Sequence, residues 1–132
     1  MKIAFASNEG RALDCHFGQC TSFSIFDFGE KGYRLLETRP LPAPQPETEE
    51  CDKFQQRVDL IQDCTVLLVV KIGGDATKTV LKAGIILLQS EQGSEIIPQL
   101  EQLGRMLKER PPLWLVKALK RGQGLGRADH LL

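Results

Sequence analysis

The chain reads as an α/β protein, a mixed sheet with helices packed on its faces. Three observations predict this. Residues 2–7, 65–70 and 85–88 are short and almost wholly apolar, the pattern of strands buried on both faces. Segments with helical spacing of apolar residues follow those runs. The resulting order is β, β, β, α, β, α, β, α, α, in which a hairpin leads into βαβ units, and such an order gives a mixed sheet flanked by helices.

Taken in order, residues 2–7 form the first strand, and Asn8, Glu9 and Gly10 break it. Residues 14–20 form a loop. The second strand, residues 21–28, alternates polar positions with Phe23, Ile25 and Phe28. Residues 29–32 are a glycine-bounded turn into the third strand, residues 33–38. Pro40, Pro42, Pro44 and Pro46 exclude regular hydrogen bonding and predict an exposed extended loop. Thr48 or Asp52 is expected to cap a helix whose inward face is Phe54, Val58 and Ile61, spaced i, i+4, i+7. Residues 65–70 are the fourth strand. Gly73, Gly74 and Asp75 start a helix with Ala76, Val80 and Leu81 inward, and Gly84 stops it. Residues 85–88 are the fifth strand, expected to be buried. Ser94 is expected to cap the helix 95–108, whose apolar stripe is Ile96, Ile97, Leu100, Leu103 and Leu107. Pro98 falls in its first turn, where a missing amide is tolerated. Pro111 and Pro112 end it, and residues 113–119 make one more short helix. Residues 1–121 read as a single domain, with 122–132 as a flexible tail.

Right-handed crossovers put the fourth strand beside the first. The expected sheet order is 3-2-1-4-5, with the second strand antiparallel to the first. The switch point then lies between the first and fourth strands. Asn8 follows one, and Lys71, Ile72, Gly73 and Gly74 follow the other. The loop 14–20 hangs over the same edge. Ligands in open α/β sheets bind in that kind of crevice.

Composition excludes several function classes. Seventeen basic residues balance seventeen acidic ones, so no global field favours nucleic acid or a membrane surface. The apolar runs are far too short to span a bilayer, and the N-terminus shows no signal-peptide pattern. A cytoplasmic location is expected, where cysteines stay reduced, so Cys15, Cys20, Cys51 and Cys64 read as thiols or ligands. Locally the balance breaks. Glu47, Glu49, Glu50 and Asp52 crowd one stretch; Arg105, Lys108, Arg110, Lys117, Lys120, Arg121 and Arg127 crowd the C-terminal part. These are either solvated faces or docking sites for partners of opposite charge.

The chemistry concentrates in the 14–20 loop. It holds Cys15, His16 and Cys20, soft ligands beside an imidazole, with Gly18 permitting close backbone approach. Metal or metal-cluster binding is one reading, and a thiol nucleophile at Cys15 with His16 as its base is another. The second is weak, because adjacent residues on an extended loop point apart. No further cysteines follow at ferredoxin spacing, so a self-sufficient iron–sulfur site is not expected. A structural zinc site would need Cys51 to come in over the Pro-rich loop. Cys64 opens a buried strand and packs as a small hydrophobe. Gly73 and Gly74 at a helix start suggest an anion cradle, with Lys71 or Lys78 near, or else a turn allowing close helix–strand packing. The spacing is neither that of a P-loop nor of a dinucleotide site. Asp14 is the sole acid in the 14–20 loop, so two-metal hydrolysis lacks its carboxylates. No aromatic platform for stacking bases is evident.

Residues 2–7, the His16, Phe17, Gly18 motif, the Phe-rich strand after it, Asp63 and Cys64 before a buried strand, and residues 73–85 together resemble the dinitrogenase iron–molybdenum cofactor biosynthesis family. Residues 111–119 resemble its subgroup of small NifX-like carriers rather than the related domain fused to a radical enzyme. The resemblance implies a ribonuclease-H-like fold and no catalysis. It implies transient binding of an iron–sulfur precursor of the cofactor, or of the iron–molybdenum cofactor itself, and transfer between assembly proteins. The partners implied are a cluster donor, a scaffold and apo-nitrogenase. The family's cluster-binding histidine maps onto His16. Cys15 stands where the family often has a polar uncharged or acidic residue, which makes a thiolate available as a second metal contact. The site expected from all this is His16 and Cys15 on the metal, with Asn8, Gly73 and Gly74 around the cargo. A metal-free chaperone or regulatory module, docking on apo-nitrogenase or a scaffold, is the alternative.

Overall fold

A computed structural model describes residues 1–8, 11–13, 17, 20–41 and 50–122, with residues 50–53 and 122 in backbone only. The expectations that fall on Asp14, Cys15, His16 and Gly18, on Thr48, on the Cys51 side chain and on the tail 123–132 lie outside the described residues. The elements are β1 (Lys2–Ser7), β2 (Ala12–Leu13), β3 (Ser22–Gly29), β4 (Gly32–Pro40), α1 (Glu50–Asp59), β5 (Val66–Val69), α2 (Gly74–Lys82), β6 (Ile86–Gln89), β7 (Ser94–Glu95), α3 (Ile96–Glu109) and α4 (Leu113–Gly122).

The five longer strands form one mixed sheet in the order β4-β3-β1-β5-β6. β1 is central. It runs antiparallel to β3, with Ala4 opposite Ile25, and parallel to β5, with Ala4 opposite Leu67. Side chains alternate across a strand, so β1 sends Ala4 and Ala6 to one face and Ile3 and Phe5 to the other. Both sets are fully buried. Val58 of α1 and Ala76 and Val80 of α2 cover the first face. Ile96, Leu100 and Leu103 of α3, with Leu115, Ala118 and Leu119 of α4, cover the second. That double burial is why the central strands carry no polar alternation. Gly32 turns the β3–β4 hairpin at φ +119, a conformation that favours glycine. Among the described residues no helix is long and apolar enough to cross a membrane.

Several elements differ from what their sequence suggests. Leu81 is 57% exposed rather than inward, since Val80 one residue earlier takes the buried position on α2. β6 is half-buried, because it closes the sheet and has a neighbour on one side alone. Ser94 does not cap α3. It pairs in β7 with Leu13 of β2, and the N-cap is Glu95, without a side-chain cap bond. That two-strand ladder is too short to register as periodicity. Ile97 is exposed, and Leu107 only partly buried. α1 begins at Glu50, so Asp52 lies inside it rather than before it.

Candidate functional site

The C-terminal ends of β1 and β5 lie side by side, and the loop between β1 and β3 is stitched across them. Ser7, fully buried, donates its hydroxyl to the Ala12 carbonyl at 2.6 Å, and its own carbonyl accepts from the Ser22 hydroxyl at 2.9 Å. Thr21 donates to the Asn8 side-chain oxygen through its amide at 3.1 Å and its hydroxyl at 3.2 Å. Asn8 therefore ties the exit of the loop to the end of β1. Between these points Phe17 is fully buried, its ring 5.9 Å from that of Phe23. Full burial of such a ring contributes about 2–3 kcal/mol. The Phe17 amide donates to the Lys71 carbonyl at 2.9 Å, which fixes the loop beside the end of β5. His16 precedes Phe17 directly in the chain. Phe17 is thus the anchor next to the expected cargo ligand.

A residue that periodicity passes over completes the anchor. Arg57, in the last turn of α1, is 4% exposed. Its Nη1 donates to the Phe17 and Cys20 carbonyls, both at 3.0 Å, and to the Cys20 Sγ at 3.3 Å. The Cys20 thiol in turn donates to the Phe17 carbonyl at 3.2 Å. Cys20 is buried, a member of the core beneath the loop. In the sequence Arg57 is a basic residue in a helix's last turn, a placement that the helix dipole favours on its own. The available signal was its position three residues after Phe54 and one before Val58, at the edge of the inward stripe.

Just beyond Lys71 in the chain is the start of α2. Gly73 is the N-cap in an extended conformation, φ −73 and ψ 165, with no side-chain cap bond. The amides of the first helical turn have no intrahelical acceptor, and the helix dipole places partial positive charge there. Among the described residues, a Cβ added at Gly73 or Gly74 would meet no atom within 4 Å, so close packing of the described helices and strands does not account for these glycines. Asp75, in the first turn, opposes part of the positive field. Arg11 pairs at 3.7 Å with Glu95.

Cys64 lies away from this site. Burial first, and then the neighbouring Asp63 carboxylate, push its thiol up to about 12, so it stays protonated and unreactive. Asp63 itself is held well below the usual carboxylate range by hydrogen bonds from Arg39 first and from Lys2. Arg39 Nη1 and Nη2 reach its two oxygens at 2.6 and 2.8 Å, and Lys2 Nζ reaches one at 2.9 Å.

The sequence profile of the family described as "Dinitrogenase iron-molybdenum cofactor" matches residues 1–105. The chain belongs to this family. Among its relatives, the protein NifX of Herbaspirillum seropedicae is 31% identical, over 93% of this chain and 84% of that protein. The protein NifY of Azotobacter vinelandii is 36% identical over 90% of this chain, which spans 48% of NifY. The FeMo cofactor biosynthesis protein NifB of Frankia alni is 28% identical over 63% of this chain and 17% of its own length. The crystal structure of PH0822 shares the fold, with a TM-score of 0.54 at 17% identity, covering 81% of this chain and 89% of that one. Membership of the dinitrogenase iron–molybdenum cofactor family places the chain among proteins of nitrogen fixation and iron–molybdenum cofactor biosynthesis.

Proposed function

We propose that the protein is a non-enzymatic carrier. It binds an iron–sulfur precursor of the nitrogenase iron–molybdenum cofactor, or the cofactor itself, and passes it between cytoplasmic assembly proteins during nitrogenase maturation. Residues 1–121 act as one carrier domain of ribonuclease-H-like type. The observation that carries this reading is the anchoring of Phe17 beside Lys71, next in the chain to His16 and at the end of the sheet where α2 begins with two glycines that no described residue crowds. His16 and Cys15 are the metal contacts. The Gly73 and Gly74 backbone faces the anionic cargo, and Asn8 holds the exit of the loop. A preassembled cluster must leave again, so one imidazole and one thiolate suit a carrier better than four cysteines would.

The partners in this reading are a cluster donor, a scaffold and apo-nitrogenase. Docking falls to the opposite end of the sheet. There α3 and α4 expose Arg105, Lys108, Arg110, Lys117, Lys120 and Arg121, against Glu101 and Glu109. Among the described residues none of the first five forms an ion pair. That surface also favours the second reading, a metal-free chaperone or regulatory module. Anaerobic mixing with isolated cluster precursor, followed by gel filtration, separates the two. A carrier elutes with the visible absorption of the cluster. A colourless protein that still co-elutes with a scaffold would replace the carrier by the docking module.

A further inference from the structure

The turn between β3 and β4 and the C-terminal half of α3 enclose a cavity of about 300 Å³. It lies at the end of the sheet away from the β1 C-terminus. In the antiparallel register Ser22 sits beside Ser7, while Asp27, close to the turn, sits beside Lys2. The apolar lining is Phe28, Leu100 and Leu107, so the cavity opens the edge of the core under α3 to solvent. Gly104 lines it too, from the interior of α3. Glycine at such a position costs about 1 kcal/mol relative to alanine. Among the described residues a Cβ at Gly104 would meet nothing within 4 Å, so their packing does not require the glycine. A larger side chain there would take up part of the cavity. Beside it, β4 leaves apolar side chains uncovered. Tyr33 and Leu35 are 36% and 55% exposed. They stand opposite Phe28 and Phe26 in the β3–β4 register and share the face covered by α3.

The rim of the cavity is charged. Lys31, Arg105 and Lys108 are exposed on it, and among the described residues none of them forms an ion pair. Two carboxylates share the rim, Glu30 and Glu101, and Glu101 accepts from the Tyr33 hydroxyl at 3.3 Å. Three cations against two carboxylates leave one positive charge in excess. An apolar hollow inside a positive rim suits an anchor side chain flanked by acidic residues. The hollow also continues into the uncovered Tyr33 and Leu35 on one side and the basic surface of α3 on the other, which favours an extended occupant over a small molecule. We propose that this cavity anchors a partner protein: it takes an aliphatic or aromatic side chain from an acidic peptide segment, whose carboxylates meet Lys31, Arg105 and Lys108. This deepens the docking that both readings of the function assign to the basic surface, and rests on them only for the partner being an assembly protein.

Amide NMR shifts of the isotope-labelled, metal-free protein test this with three synthetic peptides. The first has glutamates around a leucine–phenylalanine pair, the second has serines in place of that pair, and the third has lysines in place of the glutamates. The first is expected to shift the amides of residues 28–33 and 100–108, and the other two to bind about 10-fold more weakly. Gly104→Leu fills the cavity. It is expected to melt no lower than the unaltered protein, since leucine is the better helix former, and to bind the first peptide about 10-fold more weakly. The double variant Arg105→Glu, Lys108→Glu is expected to prefer the lysine peptide, and it decides the matter if Gly104→Leu does not fold. Equal binding by folded Gly104→Leu would overturn the proposal, as would an unreversed preference in the double variant. Shifts confined to α4, or equal for the first and second peptides, would reduce the site to a charged helix surface and overturn it too. So would the absence of shifts at millimolar peptide. Because no cluster takes part, failure of the protein to take up cluster would overturn the carrier reading alone.

Discussion

At the scale of single residues, the candidate site is held by side chains outside the expected ligand set. Phe17 fills the core, Asn8 bonds Thr21, and Arg57 donates to the buried Phe17 and Cys20 carbonyls. Cys64 was legible as a small buried hydrophobe, while the expected Cys15 and His16 contacts fall outside the described residues. Arg57 was not, because its environment comes from a segment some forty residues away in sequence. Long-range hydrogen bonds leave no periodic trace. The two glycines were legible as a helix start; in the proposed carrier their purpose is to leave room for the cargo. Gly73→Ala tests that purpose. Exchanging glycine for alanine at an N-cap is worth about 1 kcal/mol at most, and among the described residues the new Cβ meets nothing within 4 Å. Thermal melting should show a small change, while cluster uptake weakens several-fold. Unaltered uptake would remove the α2 start from the site.

At the scale of elements, burial on both faces made the central strands readable, and the same fact hid their differences. β5 and β6 look alike in sequence, yet β5 is fully buried and β6 is an edge. Leu81 shows the same limit: the helical period accepts both Val80 and Leu81, and only packing chooses. What links the elements at the far side is Asp63, which joins Lys2 of β1 and Arg39 of β4 just ahead of β5. Its carboxyl is depressed in the folded state, so it contributes stability above the unfolded carboxylate value of about 4, and this is lost as pH falls towards the folded value. Asp63 is 43% exposed, so solvent screens the network. Asp63→Asn should lower the melting temperature by about 3–5 °C at pH 7, equivalent to about 1 kcal/mol. The gap between the two proteins should narrow steadily below about pH 4. A gap independent of pH would mean that Asp63 acts through packing.

At the scale of the whole molecule, the sheet separates two poles. The loop and the start of α2 sit at the C-terminal ends of β1 and β5. The basic surface of α3 and α4 reaches the other end, where Arg121 donates to the Gly84 carbonyl at 2.6 Å just before β6. Leu113, 68% exposed, lies on the same stripe of α4 as Lys117 and Lys120. In the proposed carrier role, the molecule would be held at one end while the other exchanges cargo. The charge clustering was visible in sequence, but its distance from the site follows from topology alone. Replacing Arg105, Lys108, Lys117 and Lys120 by glutamate should abolish co-elution with an acidic assembly partner and leave cluster uptake within about two-fold, since sites this far apart are nearly additive. Loss of uptake in that variant would place cargo and docking on one surface. The central claim, a carrier whose cargo is held through His16, is tested most directly by anaerobic titration of isolated cluster precursor into the unaltered protein and His16→Ala, read by visible absorption. His16→Ala is expected to lose affinity markedly with an unchanged melting temperature. Equal affinity in both proteins, and again in Cys15→Ala, would contradict it.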